Sequence, residues 1–252
     1  MRNSPFSCFR RRHMLFVIGA GTPGEIIDAA RKRGTEPLLL PPYPALPFPV
    51  SAHADLLIHP LDGRLYTWSD YYSCVPGAAK VIDLICERSG LSLCFISADA
   101  GDEYPADVCL CAKRIGDFFI VNPQTAPELF EASKQSGLYP IAVKQGYAAC
   151  SAAQVGKNAL ITADSGIAKA AVSAGLNVLD IQPGGVYLPG YRYGFIGGAS
   201  GFCSRSGEVW FCGDPSTHPD GERILSFIRS CGSETVLLSE RRLYDCGGIF
   251  FF

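Results

Sequence analysis

The chain writes one supersecondary unit several times over. Ile115 to Gly146 (IGDFFIVNPQTAPELFEASKQSGLYPIAVKQG) and Val155 to Gly184 (VGKNALITADSGIAKAAVSAGLNVLDIQPG) follow the same recipe. Each runs apolar residue, Gly, polar residue, short apolar strand, polar N-cap region, amphipathic helix, Gly-Leu, second strand and Gly. A third copy begins near Gly201, with Gly207 as its turn and a helix from Glu222 to Ser230. A fourth lies upstream, with Gly63 as its turn. Gly90, Gly137, Gly175 and Gly232 stand where the helix must stop, a position that favours φ > 0. The segment MLFVIGAGTPGEIIDAARKRGTEPLLLPP supplies a strand, a helix from Pro23, a cap at Gly34 and another strand, but no leading strand. The C-terminal LYDCGGIFFF is such a strand without a unit of its own. Placing the end of the chain beside its beginning completes a fifth copy.

One unit of this kind cannot bury both a sheet and a helix face, so copies must pack against one another. The predicted fold is therefore α/β, with five ββαβ units arranged with five-fold pseudosymmetry about a shared axis, as an α/β propeller closed by the C-terminal strand. One domain is expected over residues 14–252. The leading strands start at the axis, and their first residues are the natural lining of a central cleft. Those are His53-Ala54-Asp55, Pro105-Ala106-Asp107, Tyr147 to Ser151 (including Cys150), Gly197 to Gly201 (including Gly198), and Asp245-Cys246.

Composition narrows the function. A net charge of −2, with no basic stripe beyond the N-terminus, argues against a nucleic-acid surface. No apolar run approaches the ~20 residues of a membrane span. The opening MRNSPFSCFRRRH places basic residues ahead of Met14 to Ile18, a run too short for a secretory h-region. Residues 1–13 are expected to be a disordered extension, with Met14 as a possible start. Eleven cysteines without CxxC spacing read as reduced thiols of a cytoplasmic protein rather than a disulfide framework. No His/Cys set has metal-ligand spacing, so no metal and no cofactor are expected.

Five such units resemble the pentein fold of the guanidino-group modifying enzymes, which include agmatine and arginine deiminases, dimethylarginine hydrolases and amidinotransferases. The phrases VKQGYAACS, ITADSGIAKAA and GFIGGASG look like a bacterial branch of that superfamily. The resemblance implies a nucleophilic cysteine just before the last strand, and Cys246 in YDCGGIFFF matches it. It also implies carboxylates that grip a planar guanidinium, for which Asp55 and Asp107 stand at equivalent places in adjacent units. The expected His-x-Asp exists as His53-Ala54-Asp55, but in a different unit, and no histidine occurs between Gly90 and His218. His53 is thus the candidate acid/base, and the implied ligand is a small guanidino or other cationic molecule. The same superfamily contains a ribosome anti-association factor with the ring and no catalysis, so a non-catalytic binding protein is the alternative. Nothing in the sequence speaks to oligomeric state.

Two motifs have plainer readings. GAGTPG (Gly19 to Gly24) matches a dinucleotide-binding fingerprint, but PLLLPPY follows where an acidic residue should hold a ribose, and a tight strand-to-helix turn is favoured. Cys150 and Cys203 are rival thiols at positions equivalent to Cys246, and Asp164 reads as a helix N-cap.

Overall fold

The computed structural model describes residues 14–252, so the expected extension over residues 1–13 lies outside the described residues. The chain begins with β1 (Leu15–Gly19), α1 (Gly24–Lys32) and β2 (Glu36–Leu40). A helical turn, α2 (Ala54–Leu57), then leads into β3 (Ile58–Leu61), β4 (Arg64–Trp68), α3 (Ser69–Cys74), α4 (Ala78–Ser89) and β5 (Ser92–Ile96). The third unit is β6 (Lys113–Ile115), β7 (Phe118–Val121), α5 (Pro127–Gln135) and β8 (Tyr139–Ala142). The fourth repeats the helical turn, with α6 (Ala148–Ser151), β9 (Ala152–Gly156), β10 (Ala159–Thr162), α7 (Ser165–Ser173) and β11 (Asn177–Asp180). The fifth is β12 (Ser200–Cys203), β13 (Glu208–Phe211), α8 (Gly221–Ser230) and β14 (Glu234–Leu237), and the chain ends on β15 (Phe250–Phe251).

These strands form five three-stranded sheets of one design. In each, a leading strand pairs antiparallel with the central strand, and the strand after the helix returns parallel to it. The sheet of the first unit takes its leading strand from the far end of the chain. β15 pairs antiparallel with β1, Phe16 opposite Phe251, as the sequence count requires. Leu15 and Phe252 exchange two further backbone bonds of 3.0 and 3.2 Å, and Phe251 packs edge-on to both Phe16 and Trp210.

The helices bury one stripe each, Ile26/Ala30, Ile82/Ile85, Leu129/Ala132, Ile167/Ala171 and Ile224/Ile228, which is the i, i+3/i+4 spacing of an amphipathic helix. Central strands are buried almost throughout, whereas the returning strands β5, β8, β11 and β14 are largely open to solvent. Among the described residues, no helix is long and apolar enough to cross a membrane, and no disulfide joins the cysteines.

Gly34, Gly90, Gly137, Gly175 and Gly232, the residues that close the five unit helices, all take φ between 69° and 93°. The dinucleotide fingerprint has a different cause. A Cβ on Gly19 would overlap the carbonyl oxygen of Ala52, so the glycine admits a neighbouring backbone rather than a phosphate. Pro23 is the N-cap of α1 rather than its first helical residue. Asp55 and Cys150, expected at strand starts, instead sit in the one-turn helices α2 and α6.

Two kinds of glycine should respond differently to substitution. Nothing lies within 4 Å of a Cβ at Gly90, so Gly90→Ala meets only the left-handed backbone and should cost ~1 kcal/mol. A Cβ at Gly198 would overlap the Asp245 carboxylate, so Gly198→Ala should cost ~3 kcal/mol or prevent folding. Urea unfolding of the two variants measures the difference, and equal losses would contradict this account of Gly198.

Candidate functional site

The segments that open the units meet in the middle of the molecule and are tied by backbone bonds. Asp55 N–H donates to Gly247 O at 3.0 Å, Gly198 N–H to Cys150 O at 3.0 Å, and Cys246 and Gly248 N–H both donate to Gly198 O. The one-turn helix α6 ends in Cys150 and Ser151 and turns the Cys150 thiol inward. There it donates to Asp55 Oδ2 at 2.7 Å, although the two residues belong to units that are not neighbours in sequence. The Cys111 thiol lies 3.9 Å on the other side. His53 caps the start of α2, and its Nδ1 is 3.7 Å from Asp245 Oδ1. Asp245 accepts from the backbone N–H of Phe195 at 2.7 Å and of Gly247 at 3.1 Å. His53, Asp55 and Cys150 offer donor atoms that all lie within 4.8 Å of one another, and all three residues are buried.

A cavity of about 340 Å³ opens onto this cluster, within the size range of small-molecule sites. Its functional lining is His53, Cys150 and Asp245 below, with Tyr147, Tyr191, Tyr193 and Phe195 as walls and Arg192 beside them. Tyr147 and Phe195 are stacked, and Tyr193 meets Phe195 edge-on. Aromatic faces attract cations, and the Asp245 carboxylate adds to that field.

The central groups are shifted by their burial. Loss of water pushes Asp55 up to about 7, against the stabilising bond from Cys150, and Asp245 adds a smaller upward push. Burial lowers His53, with Asp245 opposing, so the imidazole is neutral. The Cys150 thiol is raised, first by Cys111 and then by burial and Asp55. Burial also raises Asp107.

The predicted site residues thus divide. His53, Asp55 and Cys150 are brought together. Asp107 is wholly buried behind Tyr147, whose hydroxyl donates to its Oδ2. Gly197 and Gly198 line no wall of the cavity. They are bare because Ala149 O, Cys150 O and the Asp245 carboxylate occupy the space their Cβ atoms would need. Cys246 borders a separate cavity of about 280 Å³ that also reaches His53. Its thiol faces Cys212 Sγ at 3.1 Å and Gly198 O at 3.4 Å, inside the apolar cluster of Phe16, Trp210 and Val236. Burial and Cys212 raise it. Cys203 contacts Met14 and takes no part. His218, placed near a cap, is buried and accepts from Asp220 N–H through Nδ1.

Sequence reading had named Asp245 only as part of the cleft lining, whereas the structure makes it the carboxylate that faces the cavity. The aromatic walls went unnoticed, although GYRYGF (Gly190 to Phe195) carries the signal. The donor set His53, Asp55 and Cys150 has the residue types of a metal site, and no sequence spacing shows it because its members come from two units.

Asp55 makes stability depend on pH. Between the ordinary carboxylate pKa and about 7, the folded chain keeps a proton on Asp55 that the unfolded chain has released. Stability contributed by this group is therefore lost as pH rises across that window. Asp55→Asn should flatten the slope and exceed the parent by ~2–4 kcal/mol above neutrality. Urea unfolding across the pH range checks the sign, and a variant less stable than the parent at high pH would refute it.

Comparison with known proteins supplies the fold and a family. No curated protein matches the chain. Among solved structures, it is similar to SxtG, an amidinotransferase from Microseira wollei in the saxitoxin biosynthetic pathway. That likeness has 9% identity over 89% of this chain and 88% of that one, with a TM-score of 0.51. It is also similar to the agmatine deiminase of C. jejuni, with 12% identity over 95% of this chain and 92% of that one and a TM-score of 0.50. Both are members of the pentein superfamily, and the fold is theirs. A model of the family described as "Family of unknown function (DUF6873)" matches residues 17–250, nearly the whole chain, and the chain belongs to that family.

Proposed function

We propose that the chain is a pentein that binds a guanidino or amidino cation in the cavity walled by Tyr147, Tyr191, Tyr193 and Phe195, and acts on it through a cysteine. The five sheets are read as the blades of a closed propeller. Support comes from polar contacts between each pair of successive units, including His59 Nδ1 with Leu110 O at 3.0 Å and Asn122 Nδ2 with Gly146 O at 2.8 Å. The observation that carries the function is the 2.7 Å bond between Cys150 and Asp55 at the base of an aromatic cavity that also holds His53 and Asp245.

Cys150 is assigned as nucleophile in place of Cys246, whose thiol is engaged with Cys212 and Gly198. Asp245 and Asp55 supply the negative field for the cation. As the Cys150 sulfur bonds to the central guanidinium carbon, its proton passes to Asp55. The carbon–nitrogen bond to the leaving amine then breaks as Asp55 passes the proton to His53, which donates it to the departing nitrogen. The product is a thiouronium adduct on Cys150, which water or an acceptor amine would resolve.

Because Cys111, burial, Asp55 and Asp245 all raise the Cys150 thiol, the empty site holds it protonated. A bound cation reverses that field. Chloroacetamidine is therefore expected to alkylate Cys150 quickly, and neutral iodoacetamide to do so slowly. Peptide mapping reads the outcome. Labelling of Cys246 first, or equal rates with both reagents, would end the assignment to Cys150.

The same field makes cation binding pH-dependent. The groups facing Asp55 are Cys150, Asp245 and Lys113. A cation favours the ionised carboxylate, so agmatine should bind more tightly as pH rises through about 7 and release a proton on binding. Calorimetry in buffers of different ionisation enthalpy measures that proton. Binding with proton release but no turnover would leave the non-catalytic reading, which the raised thiol of Cys150 in the empty site favours. No binding by any guanidino or amidino cation would overturn both.

A further inference from the structure

Three of the buried side chains at the centre are donors of three different kinds, and they converge. His53 offers an imidazole nitrogen, Cys150 a sulfur and Asp55 a carboxylate oxygen, and these atoms all lie within 4.8 Å of one another. His53 and Asp55 stand at the start of α2 and Cys150 in the corresponding turn α6, so two short helical turns hold the set. Beyond the 3.7 Å approach of Asp245 Oδ1 to Nδ1, neither ring nitrogen of His53 has a polar partner among the described residues. His53 lines both the aromatic cavity and the cavity of about 280 Å³, and Cys150 lines the first, so a small ion has a way in.

The spacing suits a first-row metal ion after small movements. Zinc binds sulfur at ~2.3 Å and nitrogen or oxygen at ~2.0 Å, which sets tetrahedral ligand atoms ~3.5 Å apart. Cys150 Sγ and Asp55 Oδ2 now share a hydrogen across 2.7 Å, and the ion would take the place of that hydrogen as the pair opens. His53 would close in from no more than 4.8 Å. Asp245 stands where a carboxylate commonly orients a ligating imidazole. Charge agrees with geometry. With the thiol hydrogen gone, Cys150, Asp55 and Asp245 are three anions, opposed by Lys113 as the cation that faces Asp55. A divalent ion balances the difference. Thiolate and imidazole ligands together favour zinc over hard cations such as magnesium and calcium.

We propose that His53, Cys150 and Asp55 form a zinc site whose fourth position opens to the aromatic cavity. Binding expels the thiol hydrogen to solvent and leaves Cys150 as a zinc-bound thiolate. The sulfur is then withheld from any electrophile in the cavity, so the metal closes the centre to cysteine chemistry. The site goes beyond the reaction proposed above and does not need it, since the three ligands alone define it.

Cobalt, which enters zinc sites and is coloured, is the probe. The full chain, freed of metal and titrated with cobalt, should develop the intense visible bands of a tetrahedral ion and a near-ultraviolet thiolate-to-cobalt band. Equimolar zinc should abolish both, and magnesium and calcium should not. Cys150→Ser should lose the thiolate band. His53→Gln should keep it at saturating cobalt while weakening zinc ~100-fold or more, because even the outer partners of metal ligands are worth ~10–100-fold. Both positions are buried, so the parent chain supplies a test that needs no substitution. Zinc should raise its unfolding midpoint, a chelator should cancel the gain, and peptide mapping should find Cys150 protected from iodoacetamide only while zinc is present. A thiolate band lost in Cys246→Ser but kept in Cys150→Ser would move the metal to the Cys212–Cys246 pair and overturn the assignment. Absence of the thiolate band in the parent, or alkylation of Cys150 at an unchanged rate in saturating zinc, would overturn it too. None of these readouts uses a guanidino ligand, so failure of the zinc site and failure of the proposed reaction are told apart.

Discussion

The centre of the molecule is organised by one buried carboxylate. Asp245 is 1% exposed and accepts the backbone N–H groups of Phe195 and Gly247, which anchors the last segment of the chain against the segment that opens the fifth unit. Its own N–H donates to Tyr187 O at 2.8 Å. The side chain occupies the space that a Cβ on Gly194 or Gly198 would need, and so accounts for part of the glycine content of the stretch from Gly194 to Gly201. A carboxylate this deep is tolerated because polar hydrogens surround it and His53 stands beside it. Removing it would leave two backbone donors and an imidazole facing a void.

The anchor also sets the electrostatics. Asp55, Asp107 and Asp245 bring three buried carboxyl groups close to the axis, where each must be neutralised, hydrogen-bonded or matched by a ligand. Tyr147 answers Asp107, and backbone amides answer Asp245. Asp55 has only a thiol and its own local backbone as hydrogen-bond partners, and burial pushes its pKa up to about 7.

Much of the fold was legible in the sequence because it was written five times. The glycine that closes each unit helix, the turn glycines Gly63, Gly116 and Gly207, and the orphan strand at the C-terminus are local signals with local causes. The site was less legible because its geometry depends on which way a backbone turns within one or two residues. Cys150 and Cys246 occupy equivalent places in two units. The helical turn of Ala148–Ser151 swings Cys150 toward Asp55, whereas Gly247 and Gly248, with φ of 76° and 80°, carry the chain past His53 and leave Cys246 against Cys212. No periodicity separates these outcomes. Asp55 and His53 were identified from residue type, but their partners came from distant units and required the assembled centre.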